Sequence, residues 1–414
     1  MNSLSASITK YDIYSIEYII FVFLYLGLIL LPFSTGKDSS FGVVSFGLPF
    51  IGMAAFLATL YLLYHKVQFA VSLKSTLLIA FVYVSLIVIS AFIAPAFIPS
   101  IVRVIPHILG YMIFLFIASF VSAEKGQREP FQNRFIDALI VSGVVMGSYY
   151  LINVIYGVLT HSFIEVMLDR VLGGLMALPW GASNSVAACL LIPLIVILCD
   201  RRNEKKYGFV KTLAASIVVI AILATESRTV LSVLLAAFLL YSFLSKTIKP
   251  ILIMLAFISF ILSTVYNYSS AAFDMLYNTR VDNIETLTEG RAEIWGKYIN
   301  YISENPFAPV GFYGSQFVFN SSGHNIVLTT FVEMGFVGLL SILALFLNLL
   351  FMAFYSYQRS EFKDKQIKLV LSVGLLAILL NLFTEDPHFT QQYIIYFWTF
   401  SGIVSLVCSQ KVVK

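Results

Sequence analysis

Residues Thr76–Ala94 read TLLIAFVYVSLIVISAFIA, without a single charged side chain. A helix needs about 20 such residues to cross the roughly 30 Å hydrocarbon core of a bilayer, and one that is apolar all round has no wet face to offer a soluble fold. Five comparable runs lie around it in the first half of the chain: Ile16–Phe33, Phe41–Tyr64, Ile101–Val121, Phe135–Tyr156 and Ser185–Cys199. Six more follow: Phe209–Leu223, Thr229–Leu244, Pro250–Tyr266, Ile326–Tyr355, Gln366–Phe383 and Thr390–Val407. The pattern predicts an all-α integral membrane protein of about 12 transmembrane helices, one polytopic domain over 1–414. Composition agrees, with 59% hydrophobic and 12% charged residues in 414, against about 25% charged in soluble domains. The Ile326–Tyr355 run is too long for one straight crossing, and Gly335 and Gly338 predict a bent opening turn before the span proper. No cleavable signal peptide is expected, because no basic region and small-residue cleavage site precede the first run.

Charge sorts by alternate loops. One set holds 19 of the 26 Lys and Arg residues, 14 of them Lys; the other holds Lys37, Arg103, Arg170, Arg228, Arg280, Arg291 and Lys297. By the positive-inside rule the first set is cytoplasmic, which puts both termini in the cytoplasm. The outward set is mostly Arg, whose planar fork suits phosphate oxygens and keeps its charge when half-buried. Cys189, Cys199 and Cys408 fall in spans and read as apolar packing residues, not a disulfide framework. No two His or Cys residues have ligand spacing, so neither a metal nor another cofactor is expected.

The longest outward segment, 267–325, is the place for a small extramembrane subdomain with short amphipathic helices. Its excess of acid argues against nucleic acid. Within it, Gly290–Asn305 has helical periodicity and stops at Pro306. Arg291 shares a face with Ile294, Trp295, Tyr298 and Ile302, while Glu293, Lys297, Asn300 and Glu304 take the other face. An Arg on the apolar face calls for an anionic partner, a ligand or a nearby Glu.

Three further constellations carry chemistry. Glu226-Ser227-Arg228 forms a tight outward turn, with Arg228 opening a helix whose free N–H groups favour anions; a simple Glu226–Arg228 pair is the alternative. Ser321-Ser322-Gly323-His324-Asn325 places a histidine before the tenth run, where it could serve as a general base near neutral pH. His65, His107, His161 and His388 have less around them, although His388 follows Glu385 and Asp386 on the outer face. Arg170 through Leu190, with Gly173, Trp180 and Asn184, reads as a re-entrant or interfacial turn.

These stretches together resemble the O-antigen polymerase and O-antigen ligase superfamily of bacterial envelope glycan assembly. Ser227-Arg228 looks like that family's first arginine, and Gly290-Arg291-Ala292-Glu293-Ile294-Trp295 with Asn305-Pro306 and Val310-Gly311 is similar to its arginine loop. His324-Asn325, Leu328, Glu333, Gly335 and Gly338 match its approach to the tenth span; Arg170, Gly173, Asn184 and Ala187 resemble a weaker upstream element.

The resemblance implies a GT-C-like, inverting, metal-independent glycosyltransferase in the bacterial inner membrane, working at the periplasmic face. The implied donor is an undecaprenyl-pyrophosphate-linked glycan held among membrane lipids, with a chain-length regulator as a further partner. His324 is then the catalytic residue, Arg228, Arg291 and Arg170 bind the pyrophosphate, and Asn325, Glu333, Asn184 and Glu226 support them. A polymerase is favoured over a ligase, because Arg291 and His324 lie only 33 residues apart and Leu231 follows Arg228 at three residues where ligases commonly show leucine at four. A flippase or other transporter is the reading from a different class, but it should show duplicated halves and midplane charges, and the sequence has neither.

Overall fold

The computed structural model describes residues 2–35, 44–123, 125–161, 166, 178, 182–200, 204–247, 291–360, 362–387 and 390–409. Eight helices precede the long loop: α1 (Asn2–Leu30), α2 (Leu48–Tyr64), α3 (Lys74–Phe92), α4 (Phe97–Ser119), α5 (Lys125–Thr160), α6 (Ser183–Cys199), α7 (Glu204–Ala224) and α8 (Arg228–Ser245). Five follow it: α9 (Arg291–Glu304), α10 (Ser315–Val318), α11 (Ile326–Gln358), α12 (Phe362–Leu382) and α13 (Gln391–Cys408). Six of these, α3, α4, α5, α8, α11 and α12, are long and apolar enough to cross a membrane. Shorter apolar helices cover Ile16–Leu30, Leu48–Tyr64, Ser183–Cys199 and Gly208–Ala224. The ninth expected run, Pro250–Tyr266, lies outside the described residues. Among those residues there is no strand, and Ser34 and Ser45 form an isolated bridge.

The centre of the bundle is α13, buried at every position from Gln391 to Cys408. It packs most extensively on α4 and also against α11, α6 and α5. Gly110 of α4 permits this approach, since a Cβ there would collide with the Trp398 ring. Cys189, Cys199 and Cys408 are buried, in keeping with the packing role expected of them.

Helix direction alternates, so side chains sort to two ends. At one end Gln392 Nε2 donates to the Leu31 carbonyl at 3.0 Å, and Asn184 Nδ2 donates to Glu385 at 3.0 Å. At the other, Tyr61 donates to Glu17 at 2.6 Å and Lys211 pairs with Asp200 at 3.2 Å. Arg228, Arg291 and His324 belong to the first end and Lys211 to the second.

Several boundaries differ from the hydropathy runs, among them the start of α1 at Asn2, not Ile16, and of α7 at Glu204, not Phe209. The second helix begins at Leu48, not Phe41, with Pro49 in its first turn. The fourth begins at Phe97, so Arg103 is not a loop residue; it lies inside α4 with its guanidinium 5.1 Å from the Tyr313 ring centre. Helix α5 runs back to Lys125, beyond its apolar core. Hydropathy marks where a helix meets apolar surroundings, whereas backbone hydrogen bonding continues until a cap or turn stops it.

The expected bend in α11 is present. Gly335 has φ 71° and ψ −172°, a conformation essentially closed to other residues, and it separates a short opening stretch from the long span. The carbonyls around this bend hold the preceding loop: Val310 N–H donates to Val332 at 2.9 Å and Gly311 N–H to Glu333 at 3.1 Å. On the other side of that loop, Phe312 N–H donates to the Ser90 carbonyl of α3 at 3.2 Å.

Candidate functional site

The site forms where α9 and the opening of α11 meet the turn between α12 and α13. The amphipathic helix expected at Gly290–Asn305 is α9, with Tyr298 fully buried and Arg291, Ile294, Trp295 and Ile302 partly buried along one face. Lys297 and Glu293 pair at 2.7 Å on the exposed face, as the spacing requires. Trp295 Nε1 donates to the Gly323 carbonyl at 2.9 Å and the Tyr298 hydroxyl to the Ser321 carbonyl at 3.1 Å. Helix α9 therefore grips the strip immediately before His324.

His324 adopts φ 46°, in the left-handed region that His visits more readily than most residues. Its own N–H donates to Asp386 Oδ2 at 3.1 Å, and that oxygen also accepts from Thr329 at 2.9 Å. Ser322 donates to Asp386 Oδ1 at 3.1 Å. Asp386 thus fixes the backbone on both sides of His324. Asn325 caps α11, accepting from the N–H groups of Val327 (2.9 Å) and Leu328 (3.2 Å), and donates from Nδ2 to the Phe383 carbonyl at 2.8 Å.

Glu385 joins the expected functional side chains. Its Oε1 accepts from Arg291 Nη2 at 2.5 Å and from Asn184 Nδ2 at 3.0 Å, and its Oε2 lies 3.2 Å from His324 Nδ1. Arg291 Nη1 also donates to the Thr384 carbonyl at 2.9 Å. The Arg291 and Glu385 side chains are 14% and 7% exposed, so their attraction is screened far less than that of a surface pair. The His324 side chain is 37% exposed. Its Nε2 makes no hydrogen bond among the described residues.

Electrostatics follow from this geometry. The hydrogen bond to Glu385 raises the His324 pKa above its ordinary value; the charges of Asp386 and Glu385 add to this, while burial and Arg291 oppose it. Burial pushes the Asp386 carboxyl up to about 6, with Glu385 contributing and His324, Thr329 and Ser322 working the other way. A carboxylate on Nδ1 fixes the imidazole tautomer that leaves a basic lone pair on Nε2. This is the arrangement of a general base oriented by a third group.

The remaining expected residues fall elsewhere. Arg228 is exposed at the first position of α8, with Ser227 as N-cap accepting from Val230 N–H. No ion pair joins it to Glu226, and no hydrogen bond among the described residues links it to the Glu385 group. Glu226 has φ 50° in the turn between α7 and α8. Helix α8 packs on α12, whose far end leads into Thr384 and Glu385. Glu333 is fully buried, and its Oε1 accepts from Ser315 Oγ at 2.5 Å while its carbonyl accepts from Ser90 at 2.7 Å. It holds the loop through Ser315 and Gly311, and no hydrogen bond among the described residues links it to His324. Arg170, Gly173, Trp180 and His388 lie outside the described residues.

Sequence reading saw in Glu385-Asp386-Pro387-His388 no more than a secondary polar contact on the outer face. The available signal was Arg291 itself, a charge on an apolar face that requires an anion.

A family model described as O-antigen ligase matches residues 212–343. The matched stretch contains Glu226, Arg228, Arg291, His324, Asn325 and Glu333, and supports the O-antigen polymerase/ligase superfamily. It indicates function of the polymerase-or-ligase class in a multi-pass membrane protein. No curated protein matches the chain.

Proposed function

We propose that the protein is an inverting membrane glycosyltransferase that joins polyprenyl-pyrophosphate-linked oligosaccharide units, acting as a polymerase at the periplasmic face of the inner membrane. One observation carries the proposal: His324 and Arg291 converge on Glu385, which sets a base with a free Nε2 beside a guanidinium at the outward end of the bundle.

In this reading the acceptor hydroxyl attacks the anomeric carbon of the donor sugar from the face opposite the pyrophosphate. A new glycosidic C–O bond forms, the bond from that carbon to the phosphate oxygen breaks, and the hydroxyl proton passes to His324 Nε2. Polyprenyl pyrophosphate leaves with the electron pair. Arg291 and Arg228, with Arg170, stabilise the negative charge that grows on it, so positive side chains do the work a metal would do. Asn325 and Glu333 support the site by holding the α11 opening and its loop, and Asn184 by orienting Glu385. Glu226 shapes the turn that presents Arg228. The Lys-rich loops at the opposite end support a cytoplasmic location for both termini.

A ligase that passes the glycan to the lipid A core is the second reading, favoured by the description of the matched family. The test is purified protein in detergent with lipid-linked repeat units. Longer lipid-linked glycans are expected from the wild type, and a loss of about 10²- to 10⁴-fold in rate from His324→Ala. Full activity of that variant rejects His324 as base. In a deletion strain, surface glycan stopped at one repeat supports the polymerase; complete chains left on the carrier support the ligase.

A further inference from the structure

Glu385 stands where the substrate's charge is expected. Arg291, the proposed phosphate-binding residue, already has an anion: Glu385 Oε1 sits 2.5 Å from Nη2, and the Thr384 carbonyl takes Nη1 at 2.9 Å. A phosphate oxygen approaching the same guanidinium meets a carboxylate of like charge in a site with little screening. Two anions sharing one mostly buried guanidinium repel each other, so one must withdraw. The carboxylate has somewhere to go, because its other oxygen is already on His324 Nδ1 at 3.2 Å.

We propose that Glu385 is an exchangeable anion: it occupies Arg291 in the resting protein, yields it to the phosphate of the arriving donor, and then bears on His324 alone. The inference rests on the reading of Arg291 as a phosphate-binding residue and extends it to a coupling between donor binding and base positioning. Glu385 is here a positioning residue. It touches neither the sugar nor the reacting oxygen and acts through His324 and Arg291.

The surrounding groups fit this role. Asn184 Nδ2 donates to Oε1 at 3.0 Å, so the oxygen that loses Arg291 retains one donor. Asp386 holds the His324 backbone and not its ring, so the loop carrying His324 stays in place while Glu385 shifts. The charged groups that face the imidazole are Glu385 and Asp386, from the turn before α13, and Arg291, from α9. Of these Arg291 alone opposes imidazole protonation. Its departure onto phosphate leaves Glu385 to draw the Nδ1 proton more strongly, which makes Nε2 the better base at the moment a donor is present.

The test uses the full-length protein in detergent, with inorganic pyrophosphate as binding probe and lipid-linked repeat units for turnover. Glu385→Gln keeps an acceptor for Asn184 and Arg291 but removes the competing charge, so pyrophosphate is expected to bind about 10-fold more tightly. The same variant presents an amide N–H to Nδ1 and places the imidazole proton on Nε2, so kcat is expected to fall by about 10²-fold or more. Opposite signs in affinity and turnover are the signature, because a structural role alone would lower both. Glu385→Asp retains charge and acceptor. It is expected to recover part of kcat with an affinity within about 3-fold of wild type, a difference of roughly 0.7 kcal/mol.

If Arg291→Ala loses pyrophosphate binding but Glu385→Gln binds no more tightly than wild type, the exchange is wrong and the phosphate-binding reading stands. If Arg291→Ala binds as well as wild type, the phosphate-binding reading fails and takes the exchange with it. Full turnover in Glu385→Gln also overturns the exchange.

Discussion

Arg291 and Arg228 were expected to do the same work, and the structure puts them in opposite circumstances. Arg291 is mostly buried, fixed to Glu385 and to the Thr384 carbonyl. Arg228 is exposed at the N-terminus of α8, with no ion pair to Glu226 among the described residues. An anion reaching Arg228 meets an exposed charge from which no described residue has to be displaced, and the attraction is weakened by salt. At Arg291 it must replace an existing carboxylate, but it gains a stronger, less screened interaction. The first arrangement suits capture and the second suits charge stabilisation at the reacting end.

The comparison is broken most directly by Arg291→Ala. Turnover is expected to fall about 10³-fold, the scale of losing a preorganised donor to developing charge. The variant also strands Glu385 beside Asp386, so thermal or denaturant unfolding should show a loss on the order of 3 kcal/mol. Normal stability would mean that the pair does not hold α9 against the turn before α13. Removing both partners tests this further. Arg291→Ala with Glu385→Gln should recover about 2 kcal/mol of that stability, since the uncompensated charge is gone, while activity stays low. A double variant no more stable than Arg291→Ala alone would rule out charge as the cause.

How much of this contrast could be read beforehand depends on sequence distance. The helical positions of Arg291, Ile294, Trp295, Tyr298 and Ile302 gave the face and the need for an anion. The Gly335 bend was also legible, because an over-long apolar run and two glycines are local signals. The cap that Asn325 places on α11 had a local signal as well, an Asn before an apolar run, but no capping role was read from it. Glu385 was not legible: it lies 94 residues from Arg291, 61 from His324 and 201 from Asn184, and only the tertiary placement of the turn between α12 and α13 brings them together. Helix limits were missed for a different reason. The charged first turns of α5 carry no hydropathy signal although their backbone is helical.

Arg228 should give the smaller response. Arg228→Ala is expected to leave stability within about 0.5 kcal/mol of wild type, as for an exposed side chain with no partner among the described residues. Turnover should drop about 10-fold at low ionic strength, chiefly through KM. Raising salt should shrink the difference between variant and wild type, because the lost attraction is a screened one. A defect of 10³-fold, or one indifferent to salt, would place Arg228 in the same class as Arg291.

Lysine at each position gives the finest distinction. An ammonium is a point charge and cannot reproduce a planar fork that donates to two acceptors in fixed directions. Arg291→Lys can therefore satisfy Glu385 or the Thr384 carbonyl but not both in their present geometry, and turnover should remain at least about 10-fold below wild type. At Arg228 no such pair of fixed acceptors is found among the described residues, and a solvated lysine at the same helix start supplies nearly the same field to an incoming anion. Arg228→Lys should stay within about 3-fold of wild type, a change of roughly 0.7 kcal/mol. Equal rescue at the two sites would mean that charge alone matters at both, and the buried fork at Arg291 would lose its claim to a separate role. A failure of lysine at Arg228 as severe as at Arg291 would mean that the donor brings its own fixed acceptors to the start of α8.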